Sequence, residues 1–581
     1  MKRYSSAKKA IVATLTLTTL VFSCKEDTFL TVLPTGSLAQ AQLSTKAGVE
    51  GALLGAYSML AGKGYTRFAG PNNWVYGSIL GGDANKGTDP GDYTAINPIQ
   101  RYEAPATDGD INGSWNAKYE GISRANTTIR LATASTELSD TDKKRIIAEA
   151  RVLRGHFYFE LKKIFNSVPY VDETKDYGTG IEKVANTPDF WDKIEADFKA
   201  GMDNLPETLD QAGRVNKWAA ASYLGKTYLF EKKYTEAKAI FDQVIANGKT
   251  TNGKKYGLVA KYAEIFNAEN DNHEESIFAV QTSMNTGSVN NSNAWDDLNY
   301  PYNTGANGPG NCCGFFQPSF SLANSFRTDA NGLPLLDGSY NTGSNQLVND
   351  YGVESNAAFT PDKGNLDPRI DHSIGRRGIP YLDWIDHPGK DWIRSQPYAG
   401  PYSPKKYVYY KTQENTLTDG SSWTRGYATM NYTIIRFADV LLMAAEAEVE
   451  VGSLEKAREY VNRVRTRAAN PAGFVTKAGN PAANYVISLY NAAWTDKAVA
   501  RKAVRFERKL ELSGEGHRFF DLVRWGEAAT ELNTYLAYES KFLVTMFGGA
   551  KFTANKNEYL PIPQTQIDIQ GKDILKQNPG Y

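Results

Sequence analysis

Cysteine and histidine are scarce, at three and five residues in a chain of 581. The histidines, His156, His273, His372, His387 and His517, are scattered, and none has the spacing of a metal-ligand pair. Neither sign of charge is in excess: 65 basic residues balance 65 acidic ones. A phosphate-binding face needs a basic surplus, so this balance argues against a nucleic-acid partner. Past the first two dozen residues no apolar run reaches the length that spans a bilayer as a helix. Phosphate-cradling and nucleophile-elbow motifs are absent, and the glycines of Gly305–Gly310 have no strand before them and no helix after. Asp383 and Asp386 flank Trp384, but two acids in one loop do not make a glycosidase pair, and no strand–helix alternation builds a barrel. A glycoside hydrolase is therefore a distant reading, and the chain is expected not to be an enzyme.

The first segment reads as an address. Lys2, Arg3, Lys8 and Lys9 precede the apolar run Ala10–Phe22, which is broken only by Thr and has the size of a signal-peptide core. The run stops at Val21-Phe22-Ser23-Cys24, which resembles a bacterial lipobox. Residues 1–23 are expected to be cleaved, leaving Cys24 lipidated at the head of a tether over 24–45. Lys25-Glu26-Asp27 resembles a signal that sends lipoproteins to the outer face of the outer membrane. A plain secretory peptide with an incidental Cys is the alternative.

Aromatics are abundant, with ten Trp and 34 Tyr. Rings with a polar tip suit sugar rings and protein interfaces as well as cores. Helical periodicity marks Lys46–Ala61, Trp115–Ala132, Asp140–Phe165, Asp189–Leu205, Val215–Phe230 and Tyr234–Asn247. The last two form a helix–turn–helix with small residues at Ala221, Gly225 and Ala237, as in a tetratricopeptide-like unit. Helix resumes over Asn431–Ala468 with a break at Gly452, and Ala528–Lys556 has no clear reading. The expectation is a mainly α fold with helical regions at 46–260 and 431–581 around a loop-rich insert at 261–430.

Lys502–Gly526 is the most informative stretch. Its charges sit one turn apart in opposite-sign pairs, Arg508 with Glu511, Glu515 with Arg518, and Asp521 with Arg524, among large apolar groups. That mixture predicts a buried segment whose charges each hold a partner. Acid–base work by Glu507, Glu511, His517 and Asp521 is the less favoured alternative. The series Arg505, Glu507, Arg508, Glu511, Leu512, Glu515, Gly516, Arg518, Asp521, Leu522, Arg524, Trp525 and Gly526 closely resembles the C-terminal signature of the SusD/RagB family. Further resemblance lies in Trp115 to Asn126, Ala148 to Arg154, Arg436 to Glu446 and the closing Tyr559 to Tyr581. It implies a glycan-binding outer-membrane lipoprotein, with a SusD-like fold, that delivers oligosaccharide to a TonB-dependent SusC-like transporter. A RagB-like lipoprotein that captures peptides is the alternative.

The insert is rich in Gly, Asn, Pro, Tyr and Trp, and a loop region this long in an ordered domain is usually functional. Trp74, Trp295, Tyr300, Trp384 and Trp392 are the expected stacking platforms, with Asp83 and Asn85 as hydroxyl partners. Asn267–Glu275 is acid- and Asn-rich: it could hold Ca2+ or be a solvated loop, and no other cofactor or metal is expected. Cys312 and Cys313 are adjacent, on the oxidising side, with Gly310 and Gly314 around them. They form either a strained vicinal disulfide, a flat apolar patch for a sugar face, or two buried thiols.

Overall fold

The computed structural model describes residues 43–581 apart from 63–66, 176, 179, 311, 422 and 426. Cys24, the leader and nearly all of the tether lie outside the described residues. The framework is a row of helices, each packed on its neighbours: α1 Lys46–Tyr57, α2 Gly109–Ala134, α3 Asp140–Phe165, α4 Trp191–Asn204, α5 Lys217–Phe230 and α6 Tyr234–Asn247. Caps set the starts of several of them. Asp108 accepts from the amides of Asp110 and Ile111, so α2 begins six residues before Trp115, earlier than its apolar periodicity suggests. Ser139 caps α3 and Asn216 caps α5 in the same way. Glycines on the buried faces let the pairs close: a Cβ at Gly121 would stand 2.5 Å from Phe157, and one at Gly225 2.6 Å from Phe241.

The row continues across the insert. α6 packs directly on α7, Phe437–Val451, which is followed by α8 Leu454–Ala468, α9 Lys497–Glu511, α10 Arg518–Trp525 and α11 Ala528–Glu539. The two helical regions therefore share one core, as a mainly α, tetratricopeptide-like body requires. Two details depart from expectation. Residues 431–436 do not begin a helix: Tyr432–Arg436 is a strand, antiparallel to Ser276–Val280, because the β-branched run Thr433-Ile434-Ile435 fits a fully buried ribbon. The unassigned stretch after Ala528 supplies α11. Between α6 and that strand no described helix exceeds the six residues of Phe320–Ser325.

The charged signature ties the insert to the helices. Glu275, Asp367, Glu507, Glu511 and Glu515 meet Arg369, Arg436, Arg465, Arg467 and Lys406, five charges of each sign, at separations up to 3.2 Å. All ten side chains are buried. Only Asp521–Arg524, at 2.8 Å, forms as the local pair the helix spacing suggests. Arg508 reaches Asp439 at 2.7 Å and Asp521 at 3.0 Å instead, and Glu515 turns to Arg436 and Lys406. Burial alone would raise the Glu511 pKa, but Arg467, Arg436 and Arg369 outweigh it and hold the carboxyl well below its usual range.

Candidate functional site

The insert's loops converge on one face of the molecule. Loop 300–314 is fixed from beneath by Tyr409, whose hydroxyl accepts from the Gly310 amide at 2.7 Å and donates to the Arg425 carbonyl at 2.9 Å. Arg425 donates to the Gly308 carbonyl at 2.9 Å, pairs with Glu414 and lies 5.6 Å from the Trp384 ring. Trp384 is half-buried, with its indole N–H donated to the Tyr409 carbonyl at 3.2 Å and the Lys411 ammonium 5.9 Å from the ring. Two residues before Arg425, Trp423 is 54% exposed, and its indole N–H is donated to Asp297 at 3.0 Å. Asp297 is itself buried and clamped by Arg67 through two bonds of 2.7 Å. The ring therefore projects from a rigid base. Arg425 and Glu414 also line an open basin of about 630 Å³, with Gly305, Ala306, Asn415 and Thr418 among others.

A charged rim continues the face. Arg394 lies 5.6 Å from the half-buried Tyr302 ring and pairs with Asp89 at 2.7 Å and Asp92 at 2.5 Å. Loop 88–92 is held by Lys86, which donates to the carbonyls of Asp89 and Asp92. Burial, opposed by those two carboxylates, lowers the Lys86 pKa to about 8. Cys312 and Cys313 are joined in a disulfide on loop 300–314, with Cys312 half-exposed and Cys313 buried. The arrangement offers flat apolar rings, guanidinium groups and carboxylates on a pre-formed surface. That combination can stack on a ring and hydrogen-bond its hydroxyls.

The structure places the expected residues unevenly. Trp384 is on this face; Trp74, Trp295, Tyr300 and Trp392 are core residues at 2–3% exposure and offer no ring to a ligand in this conformation. Trp74 packs edge-on against Phe68, Phe315 and Phe316, and Trp392 against Tyr381 and His387. Tyr300 packs tilted against Tyr409, and Trp295 is pressed so close to Gly70 that an added Cβ would stand 2.6 Å away. Asp83 and Asn85 are equally enclosed. Asp83 accepts from the Gly514 amide at 3.0 Å, and burial raises its pKa to about 6. Asn85 donates to the Ala399 carbonyl at 2.9 Å and accepts from Gly87. Large rings in long loops bury the apolar area that keeps those loops ordered, so four of the five platforms are structural.

Trp423 carries a signal that composition alone hides: it sits in a run of Gly, Ser and Thr with no apolar neighbour to bury it against. In Asn267–Glu275 several of the oxygens have protein partners. Asn267 accepts from Glu269 and Gln413, and Asp271 from the Asn431 amide. No cluster of three acidic, His or Cys groups suited to a metal occurs among the described residues. Asp383 accepts from the amide and hydroxyl of Thr412 at 3.0 Å, and Asp386 pairs with Lys477 at 2.6 Å.

The profile of the SusD family matches residues 274–581, more than half of the chain, and a second profile, described as starch-binding associating with outer membrane, matches residues 83–229. SusD-like protein P2 of Formosa agariphila is 23% identical over 556 residues, covering 94% of this chain and 95% of that protein. Among solved structures, a SusD superfamily protein from Bacteroides vulgatus superposes with a TM-score of 0.68 at 22% identity, covering 93% of this chain and 100% of its own. A laminarin binding SusD-like protein superposes with a TM-score of 0.65 at 24% identity, covering 92% and 100%. The structural likenesses show the fold, and the profile match over the buried charge network and the loop face above it shows that the chain belongs to the SusD family.

Proposed function

We propose that this chain is a cell-surface glycan-binding lipoprotein that captures oligosaccharide on its loop face and hands it to a TonB-dependent transporter of the outer membrane. The observation that carries the reading is that Trp423 is exposed and Trp384 half-buried, both held on rigid supports, and that Arg425, 5.6 Å from the Trp384 ring, also lines an open basin. A solvent-exposed tryptophan is costly to leave bare, and one clamped through its N–H is pre-organised for stacking. Family membership supports a binding role without bond breaking, and laminarin recognition by a protein of the same fold makes β-glucan oligosaccharides the first ligands to try. Anchoring at the outer membrane through Cys24 is supported by the leader sequence and by the second profile's description.

Titration calorimetry with laminarin oligosaccharides, a panel of other neutral glycans and a peptide mixture tests the reading. Binding of one glycan class is the expected result; binding of peptides alone would overturn it. Replacing Cys24 by Ala should release the protein from the membrane fraction, and retention without lipid label would refute the anchor.

A further inference from the structure

Far from the loop face in sequence, a second and larger cleft of about 990 Å³ opens between loop 336–342, α9 and the end of α11. Its lining carries six cations, Arg501, Lys502, Arg505, Lys509, Arg518 and Lys541, against three carboxylates, Asp337, Glu527 and Glu531. In a chain of zero net charge this is a concentrated positive surface. The pairing sharpens the imbalance. Arg505 meets Glu527, and Arg518 meets Glu531 only at 3.5 Å. Arg501 is taken by Glu450, outside the lining, at 2.6 Å. Lys502, Lys509 and Lys541 form no ion pair with a carboxylate among the described residues. Lys509 donates instead to the Tyr340 hydroxyl at 3.1 Å and stands 4.7 Å from that ring, while Lys541 lies 5.5 Å from the Tyr538 ring. The Arg505 Nε is buried without a hydrogen-bond partner among the described residues.

We propose that this cleft binds an anionic sugar chain, carrying carboxylate or sulfate groups, at a site separate from the loop face. Lysines with no carboxylate partner keep their attraction for an incoming anion, whereas arginines already paired would have to exchange one partner for another. The half-buried Phe506 ring and the hydroxyl-bearing residues Thr342 and Thr534 on the walls add an apolar surface and hydroxyl contacts, which an acidic polypeptide does not need and a sugar chain uses. The inference rests on the glycan reading only for the choice of sugar over peptide; the charge argument stands by itself.

The test uses the mature chain and three probes: an oligogalacturonate for carboxylate, a heparin oligosaccharide for sulfate, and polyglutamate as the acidic peptide. Lys502 and Lys541 are exposed, so Lys502→Glu with Lys541→Glu leaves the fold intact. At least one sugar probe should bind, and the double variant should weaken it about tenfold or more, while Trp423→Ala should not change it. Binding should also weaken as ionic strength rises from about 0.01 M to about 0.15 M, which shortens screening from about 30 Å to about 8 Å. Which of the two sugar probes binds distinguishes carboxylate from sulfate as the recognised group. Failure of both at low salt, an unchanged affinity in the charge-reversed variant, or equal binding of polyglutamate would overturn the proposal. None of these outcomes touches neutral-glycan binding at Trp384 and Trp423, which is measured separately.

Discussion

Glu511 keeps its charge in the core because Arg436 and Arg467 meet one of its carboxylate oxygens and Arg369 the other. Removing one partner of such a set leaves a buried, uncompensated charge, which costs about 3–5 kcal/mol. Arg436→Met should lower stability by that order, read as a fall in denaturant midpoint; a loss well under about 1 kcal/mol would show that the network is not a lock. Glu539 has the opposite environment. It accepts from the Ser321 amide at 2.7 Å, and burial raises its pKa from 4.5 to about 8. The folded state thus holds a proton that the unfolded state releases, so the contribution is complete below the unfolded value and is lost as pH rises through 8. Glu539→Gln should gain melting temperature over the parent between about pH 5 and about pH 9; a pH-independent difference would refute the assignment. Burial was the least legible property at this scale. Trp74 and Trp423 are both tryptophans beside polar residues, but Trp74 leads into the apolar Val75 and Tyr76 and is enclosed, whereas Trp423 stands between Ser422 and Thr424 and is not.

Helices with strong periodicity were readable nearly to their ends: Asp140–Phe165 and Tyr234–Asn247 stand where the pattern puts them. Segments whose partner is distant in sequence were not. Tyr432–Arg436 has a β-branched run suited to a strand, but its partner Ser276–Val280 lies more than 150 residues earlier, and no local pattern carries that pairing. The signature's charges show the same limit, since Glu511 finds its partners on three other segments and not on its own helix. The pair α5 and α6 depends on Gly225, where a side chain would meet Phe241. Gly225→Val should destabilise by about 1–3 kcal/mol through overpacking, although any residue but Pro outranks Gly in helix propensity. A neutral or stabilised variant, by thermal melt, would show that the seam can open.

As a whole the molecule is one row of helices with a long insert laid over it, closed by the contact of α6 with α7 and by charges drawn from the C-terminal region and the insert. The fold class followed from the periodicity at both ends, and the aromatic density of the insert is what led to the proposed binding face. The individual rings did not follow, because the same residues that hold loops together can also hold sugars, and only packing separates them. The central claim is that the loop face binds glycan through its exposed rings. Its most direct test is calorimetric titration of the best-binding neutral oligosaccharide into the parent, Trp384→Ala with Trp423→Ala, and Trp74→Ala. The double variant should keep its melting temperature and lose about tenfold or more in affinity, while the core variant should lose stability and, while folded, retain binding. Unchanged affinity in a folded double variant would contradict the account.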